Sequence, residues 1–146
     1  MLKGLDPLLG PELLQLLAAM GHGDELVIAD ANFPATSVAR RLCRIDGSEA
    51  TRLLQAVLTV LPLDQYVERP AAVMAVVGAP DETPEIVREF TRILAEAEGH
   101  PVGVERVERF AFYERARRAF AVVATAERRL YGNIIVAKGV VAPPGG

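Results

Sequence analysis

The sequence predicts an α/β fold: a single domain with one mainly parallel sheet and helices on both faces, in three α/β/α layers. Three observations predict it. Short apolar runs of strand length alternate along the chain with segments carrying apolar residues at helical spacing. The hydrophobic fraction is 51% while aromatics make up only 5% and tryptophan is absent, so the core is built from Val, Leu, Ile and Ala. At 146 residues the chain has the length of one core, able to bury roughly two thirds of the surface that its unfolded form exposes.

The elements follow in order. Pro11 suits a first helical turn, Leu13, Leu14, Leu16 and Leu17 form an apolar face, and Gly21 is placed to end that helix. Glu25 to Asp30 is a short, partly β-branched apolar run ending in a carboxylate, which reads as a buried strand. Val38 to Ile45 alternates arginines with apolar residues as an edge strand would, and Asp46-Gly47 breaks it. Ser48 is placed to cap a helix through Leu61, with Leu53, Leu54, Val57 and Leu58 on one face and Pro62 as its stop. Ala71 to Val77 reads as a central strand, and Thr83 as the cap of a helix from about Pro84 to Glu98. Val102 to Val107 suggests a strand, Phe110 to Arg118 a helix, and Phe120 to Ala124 and Asn133 to Ala137 two more strands, which allow some antiparallel pairing. The domain is expected over residues 1–142, with Pro143 to Gly146 as a flexible tail.

Composition narrows the function. No apolar run approaches the ~18 residues of a membrane span, and the N-terminus lacks the apolar stretch of a signal peptide, so a cytoplasmic protein without a membrane role is expected. A net charge of −3 gives no general attraction to nucleic acid. Arg115, Arg117 and Arg118, with Arg106 and Arg109 nearby, are interleaved with Glu105, Glu108 and Glu114, as on a solvated helix face. The lone Cys43 makes neither an intramolecular disulfide nor a thiolate cluster. No metal-ligand cluster stands out and no cofactor is implied. Gly21 and Gly23 lack the third glycine of a dinucleotide loop.

Chemistry concentrates in three segments. Gly21-His22-Gly23-Asp24 holds a histidine in a turn, exposed and open to close ligand approach, and Asp30 stands at the carboxyl end of an apolar strand, where open α/β sheets bind ligands. His22 and Asp30 are placed to share a pocket; the alternatives are a histidine at a helix C-terminus and an aspartate capping the segment after its strand. In Arg109-Phe110-Ala111-Phe112-Tyr113 the aromatics read as core, whereas the planar donors of Arg109 suit an oxygen-rich ligand. Tyr131-Gly132-Asn133 reads either as a structural hairpin turn or as a sugar site, since phenol and carboxamide both donate and accept hydrogen bonds.

Taken together, Met20 to Glu25, Ala29 to Pro34, Leu54 to Val57, Arg109 to Ala116 and Tyr131 to Ile134 resemble, in order and spacing, the fucose mutarotase branch of the ribose pyranase and fucose mutarotase family, over nearly the whole chain. The resemblance implies an isomerase that interconverts the α and β anomers of free L-fucose. It implies His22 as general acid; Asp30, Arg109 and Tyr113 as sugar ligands; and Tyr131, Gly132 and Asn133 completing the pocket from a neighbouring subunit of a ring-like decamer. Two positions depart from the pattern: Asn32, where some members carry histidine, and Ala126, where glycine is common. The first bears on sugar preference and the second on a turn.

Mutarotation delivers one proton to the ring oxygen and takes another from the anomeric hydroxyl. In the expected assignment His22 protonates the ring oxygen, Asp30 orients the hydroxyls or His22, and Tyr131 or a water handles the anomeric proton. Histidine suits this work because it exchanges protons near neutral pH. The competing expectations are a D-ribose pyranase, using the same ring opening, and a monosaccharide-binding module without turnover.

Overall fold

The computed structural model describes residues 1–145. Six strands form one sheet in the order β2-β5-β1-β6-β3-β4. They are β1 (Glu25–Ala29), β2 (Leu42–Ile45), β3 (Ala71–Met74), β4 (Val104–Val107), β5 (Ala121–Thr125) and β6 (Ile134–Ala137). β1 pairs in parallel with β5, β5 with β2, and β3 with β4, whereas β6 runs antiparallel between β1 and β3. The expected mainly parallel sheet is thus present, and the antiparallel element is its last strand.

The inner strands β1, β3, β5 and β6 read as nearly continuous apolar runs because both faces of the sheet are covered there. Leu26, Ile28, Val73, Val123, Ile134 and Val136 point to one side. There they meet α1 (Pro11–Ala19), α3 (Ala50–Leu58) and α4 (Glu85–Glu98). Val27, Ala29, Ala72, Met74, Val122 and Ile135 point to the other, beneath α2 (Ala35–Val38) and α5 (Arg109–Arg118). In α4 the buried residues Ile86, Val87, Phe90, Ile93 and Leu94 form a stripe at helical spacing that packs on α3. Cys43 is buried in this core, and desolvation pushes its thiol pKa up, as suits a small hydrophobe.

Several boundaries differ from expectation. The segment expected to run as a strand from Val38 is one only from Leu42; residues before it form the short helix α2, which buries Ala35 and Val38. Ser48 does not cap α3: Glu49 holds that position without a side-chain bond, and the Ser48 hydroxyl donates to the Glu49 carbonyl. Thr83 does not cap α4 either, because Arg106 takes its hydroxyl. β3 stops at Met74, three residues short of the expected run. Phe110 is exposed, and it is Phe112 that enters the core. Arg115 is not simply solvated but ties Glu25 to Glu105 across the sheet's amino-terminal end. No helix among the described residues is long and apolar enough to cross a membrane. The expected tail is exposed from Pro143 to Gly145, and Gly146 lies outside the described residues.

Candidate active site

The carboxyl ends of the parallel strands bring Asp30, Met74 and Arg109 together with Tyr131 and Asn133, which lead into β6. Between them lies a cleft of about 210 Å³, with Phe33, Val77, Tyr113 and Leu130 on its walls. Five of the six expected sugar ligands line this cleft; the sixth, Gly132, lies between Tyr131 and Asn133 in the chain but does not line it. Tyr131 and Asn133 line the same chain's cleft as Asp30 and Arg109.

Asp30 and Asn133 form a reciprocal buried pair. The Asp30 backbone N–H donates to Asn133 Oδ1 at 2.7 Å, and Asn133 Nδ2 donates to Asp30 Oδ2 at 3.0 Å. The backbone donor fixes which way the carboxamide points, because only its oxygen accepts. Asp30 Oδ1 accepts the Asn32 N–H at 3.0 Å. Desolvation raises the Asp30 pKa above its ordinary 3.8, only partly countered by the donors from Asn32, Asn133, Phe33 and Gly132. A charged Asp30 therefore costs stability above its folded pKa, a cost relieved as pH falls through it.

Tyr131 is the only non-glycine residue with positive φ (62°) among those described. Such a conformation persists only where its surroundings hold it. The Tyr131 phenol oxygen accepts the Val77 N–H at 3.0 Å, leaving its own O–H to donate. Gly132 has a steric reason: a Cβ there would lie 2.8 Å from Glu127 Cγ and 3.0 Å from both the Arg129 carbonyl oxygen and Ile86 Cδ1. We expect Gly132→Ala to cost about 1–3 kcal/mol, measured by denaturant unfolding.

Arg109 opens α5, whose first amides are capped by the Glu108 carboxylate. Its guanidinium lies 5.3 Å from the Phe110 ring centre and 5.7 Å from that of Tyr113. No ion pair among the described residues engages it, so its donors face the cleft unspent. Phe33 meets Tyr113 edge-on at 5.6 Å, and Tyr113 is a wall residue, not core as its spacing suggested. A second cleft of about 290 Å³ adjoins Asp30 beside Thr36, Ser37 and Arg44, but Arg44 is engaged by Asp46 and neither site tyrosine reaches it. The smaller cleft is the better candidate.

Beneath the site lies a support that sequence reasoning missed. The Glu127 carbonyl accepts the Ala31 N–H at 2.8 Å, while its buried carboxylate holds the Arg129 backbone and guanidinium, and Arg129 continues to Glu89. Burial raises the Glu127 pKa, but the Arg129 bonds outweigh it and hold the carboxyl below its ordinary value. A glutamate followed by two arginines reads as surface, so no signal marked it. Ala126 keeps an ordinary backbone conformation and donates to the Ser48 carbonyl, so alanine fits where glycine is common.

His22 stands apart. It sits at the amino-terminal end of β1, and that strand alone separates it from Asp30 by about 15 Å. One chain therefore does not bring the two into a shared pocket. The turn that carries it is closed by the Gly21 N–H on Asp24 Oδ2 at 2.7 Å, with Gly23 at φ 85°. The imidazole is half exposed, and its Nε2 lies 3.0 Å from Oδ1 of the buried Asp64. The Tyr66 N–H and the His22 bond hold the Asp64 carboxyl below its ordinary pKa. The carboxylate is thus an acceptor, Nε2 carries the hydrogen, and Nδ1 is the ring atom left open. Asp64 was not singled out in the sequence, lying 42 residues from His22.

Fold and cleft define a class: an α/β protein that presents carboxylate, carboxamide, phenol and guanidinium to one small, hydroxyl-rich ligand. The chain belongs to the RbsD / FucU transport protein family, whose model matches residues 3–141. It is 53% identical to the fucose mutarotase of Homo sapiens, over 97% of this chain and 95% of that one. The L-fucose mutarotase of Actinobacillus pleuropneumoniae serotype 5b is 48% identical, over 96% and 97%. Among solved structures, the fucose mutarotase of Streptococcus pneumoniae in complex with L-fucose superposes with a TM-score of 0.90 at 41% identity, covering 97% of this chain and 100% of that one.

Proposed function

We propose that the protein is an isomerase that interconverts the α and β anomers of free L-fucose in the cytoplasm. The observation that carries this reading is the cleft itself, where Asp30, Asn133, Tyr131 and Arg109 converge in a chain whose relatives are fucose mutarotases. Asp30 and Arg109 bind the sugar hydroxyls, and Tyr113 packs beside the ring. The Tyr131 phenol borders the anomeric hydroxyl and relays its proton, the phenol oxygen taking it as the phenol's own proton passes to water. Protonation of the ring oxygen breaks its bond to the anomeric carbon as that hydroxyl loses its proton. The open-chain aldehyde then rotates and recloses on either face.

The proton for the ring oxygen comes from His22 of a second copy. Exposed apolar residues flank both ends of the sheet: Val77, Phe110 and Leu130 around the cleft, and Tyr66, Val67, Val140 and Val141 toward the His22 end. Two different patches meeting head to tail make a heterologous contact, the kind that closes into a ring when its rotation allows. A ring-like decamer with composite sites is the assembly we propose.

The test is anomeric-proton exchange by saturation-transfer NMR with L-fucose and then D-ribose. Faster exchange with fucose supports the reading; faster exchange with ribose alone makes the protein a pyranase, and binding without faster exchange makes it a binding module. The acid limb of the exchange rate is expected above pH 3.8, because burial raises the Asp30 pKa and its carboxylate is lost as pH falls through that value. A pH series of the same measurement checks this.

A further inference from the structure

The loop between β3 and α4 has no apolar anchor at its tip, where Val77 is 61% exposed. It is held instead from β4, the outer strand. Arg106 Nη1 donates to the carbonyls of Pro80 and Glu82, each at 3.1 Å, and its Nη2 donates to Thr83 Oγ1. One planar guanidinium thereby ties three residues of the loop, a geometry that a lysine ammonium lacks. Nearer β3, the Val77 N–H donates to the Tyr131 phenol oxygen, and Tyr131 is the residue in a strained conformation. With little burial to hold this loop, polar contacts decide where the Val77 amide sits.

Resting on the sugar-site reading above, we propose that Arg106 is a positioning residue. By pinning residues 80–83 it keeps the Val77 N–H on the Tyr131 phenol oxygen, and so aims the phenol O–H into the cleft. A purely structural clasp would stabilise the fold without coupling to Tyr131.

The test combines Arg106→Ala, Tyr131→Phe and the double variant. In Arg106→Ala, the Val77 amide is expected to exchange with deuterium about tenfold faster, the equivalent of one hydrogen bond, while the Ile135 amide in β6 is unchanged. The kcat for L-fucose exchange is expected to fall by a similar factor with a smaller change in KM. In the Tyr131→Phe background the Arg106 substitution should add little to the loss in kcat, since its route of action is already cut. Arg106→Lys, which keeps the charge and loses the fork, serves if the alanine variant fails to fold. Unchanged Val77 exchange, or additive effects on kcat, would overturn the proposal. If wild-type protein does not accelerate fucose exchange, the function reading fails and the Val77 amide alone decides.

Discussion

His22→Ala is expected to reduce L-fucose anomer exchange by ~10²- to 10⁴-fold, the usual worth of a positioned general acid, while the fold stays intact. The imidazole is half exposed and packs beside Tyr66, 5.3 Å between ring centres, so its removal leaves no sizeable cavity. Asp64 loses one partner but keeps the Tyr66 N–H. Its contribution to stability holds above the ordinary aspartate value and is lost as pH falls through its lowered pKa. Exchange NMR and thermal unfolding on the same preparation separate the two effects. A variant that unfolds at neutral pH would show that His22 is a structural turn residue.

Asp30→Asn is the second large effect, with exchange falling about 10²-fold. Both Asp30 oxygens are engaged in the native site, one by the Asn32 N–H and the other by Asn133 Nδ2. A carboxamide has one oxygen, and Asn133 is not free to flip because its own oxygen is committed to the residue 30 amide. One donor therefore faces another, and the acceptor for sugar hydroxyls is lost. The stability change is smaller, about 1 kcal/mol, because removing a costly buried charge offsets the clash. Fucose titration by NMR should show weaker binding alongside slower exchange.

Much of this was legible in the sequence, for physical reasons. β1, β3 and β5 are buried on both faces, so Glu25 to Ala29, Ala71 to Met74 and Ala121 to Thr125 read as apolar runs. The stripe of α4 fixed that helix just as plainly. Capping was not legible: the hydroxyls of Ser48 and Thr83 are spent on partners that local spacing does not reveal. The alternation from Val38 to Ile45 misled because Val38 closes a helix, burying its side chain beneath α5, before the strand begins. In the site, residue chemistry identified Asp30, Arg109, Tyr131 and Asn133, and the structure gathers them. The sequence distance between His22 and Asp30 is short, but the strand between them is straight, so closeness in sequence became separation in space. Asp64 and Glu127 act through partners supplied by folding, and no local pattern marks either.

In the proposed assembly each site takes His22 from one copy and Asp30 from another. Mixing His22→Ala with Asp30→Asn, each nearly inactive, under conditions that exchange subunits tests this composite site. Random assembly makes one interface in four carry both native residues, so recovery to about a quarter of wild-type exchange is expected. Mixtures that assemble into mixed oligomers yet stay as inactive as their parents would contradict it.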